Sequence, residues 1–285
     1  MEAGTISSQI ANTSIAPIEY TLQGQPGPVV LVCHGTSSNC FSTEAAAPLV
    51  ASGFRVLTPS RPGYGRTPLA AGRSAAEAAH GLIALLDCLE IPTCSVVATS
   101  GGGPTGIALA AELPRRVTRL VLLEAISQTE ARSNEPSYKV QVAFYGPSHV
   151  LMWGLLGLMA RLSPRSTARQ VLSSFSTHDP DDALNRLSSE DVWKVSRFFR
   201  GRSSRSGALT DLTHVVGADV LRAVQQPTLV VHSREDKSVP FAHAEYSLAH
   251  IPHAELCESG FTGHFFWIGP DFTRVSARMI AFLRA

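Results

Sequence analysis

Residues 94–112, CSVVATSGGGPTGIALAAE, pass from a β-branched run through one serine and three glycines into an apolar helical pattern. Cys94 to Thr99 suits a strand buried on both faces. Pro104 to Glu112 suits a helix with its proline in the first turn, where a missing N–H costs little. Ser100 therefore stands on a sharp strand-to-helix turn, and such a turn requires small residues two places to either side. Ala98 and Gly102 occupy those places. The helix beyond directs its N-terminal partial positive charge at the turn.

The same alternation extends in both directions. Ile18 to Leu22, Val29 to Cys33, Phe54 to Thr58 and Val117 to Leu123 read as strands. Ala45 to Ser52 reads as a helix stopped by Gly53. Ser74 to Leu89 reads as a helix opened by a capping box of Ser74 and Glu77. From about Gln128 to Gly217 the alternation gives way to helices joined by Ser-, Arg- and Pro-rich loops. It resumes with helix Asp219 to Val224, strand Thr228 to His232 and helix Phe272 to Leu283. Strands alternating with helices imply a parallel sheet. The expected class is α/β, a doubly wound and mostly parallel sheet with an inserted helical cap. The core would be residues 1–127 and 218–285 and the cap 128–217. Met1 to Ala16 reads as a loose arm.

The 285 residues are 44% apolar and 16% charged, with a net charge of +1. This suits a compact chain and offers no electrostatic reason for a nucleic-acid or anionic-membrane partner. The five cysteines lack metal-ligand spacing, and their odd number argues against a complete disulfide framework, so buried free thiols are expected. No basic and apolar leader is visible at the N-terminus. The longest apolar run, Val150 to Ala160, is too short to cross about 30 Å of hydrocarbon as a helix. Apolar nearly all round, it should be buried, either packed on the sheet or lining a pocket. The expectation is a cytoplasmic monomer or homodimer without stable membrane insertion.

A serine hydroxyl is a poor nucleophile until a base within hydrogen-bond reach takes its proton and a third group orients that base. Two N–H donors must also face the developing oxyanion. Candidates follow in chain order. Asp236 lies in residues 232–240, HSREDKSVP, just past a strand, and His264 in residues 259–267, SGFTGHFFW. His34-Gly35 follows an early strand, and residues 61–67, RPGYGRT, form a glycine-rich loop. Serine, aspartate and histidine in this order, with these flanking segments, resemble the α/β-hydrolase family. The resemblance covers Val29 to Leu123 and Asp219 to Ala285. Ala98 departs from the first glycine of the family's G-x-S-x-G elbow.

The resemblance implies Ser100 as nucleophile, His264 as base, Asp236 as orienting acid, and the backbone N–H groups of Thr36 and Gly101 as the oxyanion hole. It implies no cofactor and no metal. The implied reaction is hydrolysis of a small-molecule carboxylic ester, lactone or thioester through an acyl-enzyme. C–C bond hydrolysis or cofactor-free perhydrolysis with the same triad is an alternative, and a ligand sensor on this fold is another. Glu124, at the end of the strand before the insertion, and Glu235 rival Asp236. His34 suits a structural role beneath the oxyanion loop. His250 and His253 lack a carboxylate or cysteine at ligand spacing. Gly101-Gly102-Gly103 lacks the lysine and spacing of a phosphate loop. Gly101 either leaves room beside the serine for a bulky acyl group or has that gap filled by neighbouring side chains. Arg197, Arg200, Arg202 and Arg205 form a solvated segment or recognise a substrate carboxylate.

Overall fold

The central strands carry near-continuous apolar runs because helices cover both sheet faces. Leu31, Cys33, Val96, Ala98, Leu120, Leu122 and Val230 point into one cluster. Their chain neighbours Val30, Val32, Val97, Val121, Leu123, Leu229 and Val231 point into the other. The period of two divides each strand between two cores. The computed structural model describes residues 6–42, 44–128, 149–196, 198, 205–260 and 262–285.

The strands are β1 (Gln9–Asn12), β2 (Pro17–Gln23), β3 (Val29–Cys33), β4 (Arg55–Pro59), β5 (Cys94–Thr99), β6 (Val117–Leu123), β7 (Thr228–His232) and β8 (Ala254–Glu258). They form one sheet in the order β1-β2-β4-β3-β5-β6-β7-β8. β1 pairs with β2, and β2 with β4, antiparallel; all other pairs are parallel. Helices α1 (Ala46–Ala51), α2 (Ala75–Cys88) and α3 (Gly103–Glu112) lie between β3 and β6 in sequence. Between β6 and β7 come α4 (His149–Leu162), α5 (Pro164–Phe175), α6 (Pro180–Arg186), α7 (Ser189–Ser196), α8 (Arg205–Asp211) and α9 (Ala218–Ala223). Beyond β7 lie α10 (Ala242–His250) and α11 (Phe272–Arg284).

α2, α3, α9 and α10 supply the first core. α1 and α11 supply the second, joined by Ala168, Val171 and Leu172 of α5, Leu184 of α6 and Val195 of α7. The inserted helices thus share a core with the sheet. Ser74 Oγ accepts from the Glu77 N–H at 3.2 Å, as expected of a cap. The Glu77 carboxylate instead reaches the Arg73 N–H at 2.7 Å, so the reciprocal half of the capping box is displaced by one residue.

Several expectations are corrected. Residues 9–12 of the supposed arm form edge strand β1, in which only Ala11 is buried, so hydropathy gives little sign of it. β8 (AELCE) and α10 (AHAEYSLAH) mix polar and apolar residues and escaped the sequence reading for the same reason. Cys88 is exposed, whereas Cys33, Cys40, Cys94 and Cys257 are buried free thiols. Burial pushes the Cys33 and Cys94 thiols up to about 12, which keeps them unreactive. The run Val150 to Ala160 is helical, but Leu155, Leu158 and Met159 are exposed while Ala160 is buried. A helix apolar on every side buries only the side that meets a neighbour. Arg197, Arg200 and Arg202, and the side chain of Arg205, lie outside the described residues. No helix among the described residues is long and apolar enough to cross a membrane.

Candidate active site

β5 ends at Thr99, and the chain turns through one 3-10 turn, Ser100–Gly102, into α3. Ser100 has φ +50°, a left-handed conformation that costs a non-glycine residue energy. The turn is tight because the early loop presses on it. A side chain on Gly102 would meet the Cys33 carbonyl oxygen at 2.4 Å, and one on Gly35 would meet Ser100 Cβ at 3.2 Å. Ala98, two residues before the serine, fits because Gly106 of α3 faces it: a Cβ there would lie 2.4 Å from Ala98 Cβ. Gly106→Ala should therefore destabilise the fold by about 1–3 kcal/mol. Adding Ala98→Gly should recover most of the loss, read as the denaturation midpoint of the single and double variants.

Ser100 Oγ lies 3.0 Å from His264 Nε2, and His264 Nδ1 lies 2.7 Å from Asp236 Oδ2. An ionised carboxylate only accepts, so Nδ1 carries the proton and Nε2 is left to receive the serine's. The second Asp236 oxygen, Oδ1, accepts the backbone N–H groups of Ser238 and Val239, both at 2.8 Å. This turn follows β7 directly and fixes the carboxylate plane. Phe175, the last residue of α5, ties the two loops together. Its carbonyl accepts from the His264 N–H at 3.2 Å and the Lys237 N–H at 3.3 Å. Its ring packs 5.7 Å from the imidazole. The three sequence candidates therefore converge, at the carboxyl ends of β5 and β7 and in the loop beyond β8.

The other two candidates sit opposite. Thr36 follows His34-Gly35 at the end of β3, and Gly101 follows Ser100. His34 is buried beneath them: Nε2 accepts the Arg61 N–H at 3.0 Å, so Nδ1 donates to the Gly35 carbonyl at 2.8 Å. This is the structural role expected of it. Of the two readings of Gly101, the filled gap is the one found. A Cβ there would come 2.0 Å from Thr36 Oγ1 and 3.1 Å from Asp211 Oδ2, so that space is already filled.

The model of the alpha/beta hydrolase fold family matches residues 28–269. The chain belongs to the α/β-hydrolase family. An uncharacterized hydrolase, YcgS of Bacillus subtilis, is 31% identical over 271 residues, 94% of this chain and 95% of its own. A 2-hydroxymuconate semialdehyde hydrolase of Pseudomonas putida is 29% identical over 264 residues, covering 90% of this chain and 87% of that one. The solved structure of an alpha/beta hydrolase fold protein from Nakamurella multipartita superposes with TM-score 0.81 at 26% identity, over 98% and 99% of the two chains.

Two rival acids in this α/β hydrolase point elsewhere. Glu235 accepts from the Thr177 hydroxyl. Glu124 is fully buried at φ +46°, where Oε2 accepts the Ser233 N–H at 3.0 Å and Oε1 the Ser259 hydroxyl at 2.5 Å. Glu124, His232 and Asp236 lie close enough together to be weighed as a metal cluster. Their polar atoms are already committed: His232 Nε2 donates to the Val239 carbonyl at 2.8 Å, and Asp236 serves His264 and its own turn.

Burial, reinforced by the nearby Asp236 charge, raises the Glu124 carboxyl well above its ordinary 4.5. The folded chain therefore holds this proton more tightly than the unfolded chain does. The contribution to stability is complete below the ordinary carboxylate range and is lost as pH rises through the raised value. Glu124→Gln, which mimics the protonated form, should flatten the decline in stability as pH rises above the ordinary carboxylate range. It should leave turnover within about threefold. Urea midpoints and ester turnover over that rise in pH check both statements.

Proposed function

We propose that this α/β hydrolase is a serine hydrolase that cleaves a small carboxylic ester through a covalent acyl-enzyme. The observation that carries the reading is the unbroken chain Ser100–His264–Asp236, with contacts of 3.0 and 2.7 Å. Ser100 Oγ attacks the ester carbonyl as its proton passes to His264 Nε2. Asp236 steadies the imidazolium that results. The carbonyl oxygen, now negative, takes the backbone N–H groups of Thr36 and Gly101. Collapse expels the alkoxide, which leaves with the proton held on Nε2. Water then enters, gives a proton to the same nitrogen and attacks the acyl carbon. Ser100 departs with that proton, and the acid product is released. No other group is needed to balance the cycle.

The inserted segment, residues 128–217, is the cap in this reading. Phe175 carries its packing to the triad histidine.

The relative from Pseudomonas putida is named for hydrolysis of a semialdehyde, which favours a second reading, C–C bond cleavage by the same residues. Ester cleavage asks less of the site. An alkoxide leaves with the one proton that His264 holds, whereas a carbon leaving group must first be protonated at carbon. A panel of p-nitrophenyl esters of rising acyl length, beside a vinylogous dioxo acid, separates the two. Intact-mass analysis should show an acyl adduct on Ser100. Turnover of the dioxo acid alone, with no ester adduct, would displace the ester reading.

A further inference from the structure

A buried carboxylate outside the Ser100–His264–Asp236 chain touches the loop that carries one of the proposed oxyanion donors. Asp211 ends α8, in the segment inserted between β6 and β7, and its side chain is 1% exposed. Its Oδ1 accepts from Arg61 Nη1 at 2.6 Å. Its Oδ2 accepts from Arg61 Nη2 at 2.7 Å, the Tyr64 hydroxyl at 2.6 Å and the Thr36 hydroxyl at 2.8 Å. Arg61, as deeply buried, also donates Nε to the His34 carbonyl at 2.7 Å. The residues on either side of Gly35 are thus both tied to one ion pair, His34 through Arg61 and Thr36 through Asp211.

The same carboxylate reaches the far side of the site. Asp211 Oδ2 lies 3.1 Å from the point a Gly101 Cβ would occupy, and the Thr36 hydroxyl it holds fills that point. α8 is itself seated on the glycine-rich loop. The Gly207 N–H and the Ser206 hydroxyl donate to the Gly63 carbonyl at 3.2 and 3.0 Å. A Cβ on Gly207 would meet the Tyr64 ring at 2.4 Å, so only glycine lets the helix settle this far.

An uncompensated negative charge here would oppose an oxyanion forming a few ångströms away. The bidentate guanidinium offsets it. Burial alone would raise the Asp211 carboxyl, but the Arg61 charge and hydrogen bonds outweigh burial and hold it at about 2. The pair is therefore ionised, and its field varies little, across the working pH range. An ion pair this deep costs desolvation that an apolar pair would avoid, and such pairs are often replaceable without loss of stability. Geometry at Thr36 is what the pair supplies and an apolar pair would not.

We propose that Asp211 is a positioning residue: through its hydrogen bonds to Thr36 and Arg61, the inserted segment sets the Thr36 backbone N–H opposite Gly101, so the oxyanion site is complete only with α8 seated on the glycine loop. The proposal rests on the serine-hydrolase reading above.

The test compares the full-length parent with Asp211→Asn and Thr36→Val. Thr36→Val removes the link while leaving the buried ion pair intact, so it decides the matter if Asp211→Asn does not fold. In both, kcat for a p-nitrophenyl ester should fall by about 10- to 100-fold with KM within about threefold, the pattern of an interaction made in the transition state. A trifluoromethyl ketone, whose adduct with a serine places a negative oxygen in the hole, should lose affinity by the same factor. A merely structural role would not move that affinity in step with kcat. Folded variants with unchanged kcat and unchanged ketone affinity would overturn the proposal. So would a loss confined to KM. A parent chain that neither turns over esters nor is acylated at Ser100 would overturn the underlying reading too, and that result is visible before any variant is made.

Discussion

Ser100→Ala should lower kcat/KM for any ester substrate by at least about 10⁴-fold while leaving a folded protein. The alanine retains the Cβ, which already stands close enough to residue 35 that a side chain there would crowd it, and it meets the same positive φ that serine already tolerates. Only the hydroxyl is lost, and with it the sole atom of the turn that faces His264 Nε2 at 3.0 Å. Ser100 is half-buried, so water can take the vacated contact and no buried acceptor is stranded. What survives should be the modest catalysis that oxyanion donors and binding provide without a nucleophile. Initial rates on p-nitrophenyl acetate, and intact mass after exposure to an alkyl fluorophosphonate, read the result. The parent should gain one phosphonyl group and the variant none. Activity within tenfold of the parent would mean that the nucleophile is another group.

The legibility of this site in the amino-acid sequence follows from where its parts stand. Ser100 and Asp236 each follow a strand that is itself buried along nearly its whole length, so its apolar run has sharp ends. Val29–Cys33, Cys94–Thr99, Val117–Leu123 and Thr228–His232 are found with the bounds their hydropathy implies. Edge strands lack that contrast. In β1 only Ala11 is buried, and in β8 only Cys257, so polar residues dilute the pattern.

Asp211 was invisible for another reason. Its partners are 150 residues away at Arg61 and 175 away at Thr36, and its flanks, Thr210 and Leu212, carry no recurring pattern. Arg61 could be seen only as part of a glycine-rich loop, with nothing to say where its guanidinium went. Gly101 left both readings open because a missing side chain reads as space, whereas space depends on what else arrives: here the Thr36 hydroxyl. Local chemistry is written locally, and long-range contacts between an insertion and a core loop are not.

Asp236→Asn should cost about 10⁴-fold in kcat with little change in stability, and the reason lies in the two sides of one carboxylate. Oδ1 is held by the Ser238 and Val239 N–H groups, each at 2.8 Å, and only an acceptor satisfies them. An asparagine must therefore place its carbonyl there and turn its amide NH2 toward His264. The imidazole Nδ1, 2.7 Å away, then has to accept rather than donate. The proton moves to Nε2, the nitrogen that faces Ser100, and a protonated Nε2 cannot receive the serine's proton. The turn and the packing survive, so the thermal midpoint should move by no more than a few degrees while chemistry stops. Nitrogen-15 shifts of the His264 ring in labelled protein distinguish the tautomers directly. Expected is a protonated Nδ1 in the parent and a protonated Nε2 in the variant. Glu124 supplies the contrast: it lies in the same buried cluster but bonds Ser233 and Ser259 rather than the His264 ring, so its amide replacement should leave that tautomer as it was. A fully active Asp236→Asn, or a Glu124→Gln that loses activity with an inverted imidazole, would move the orienting role from residue 236 to residue 124.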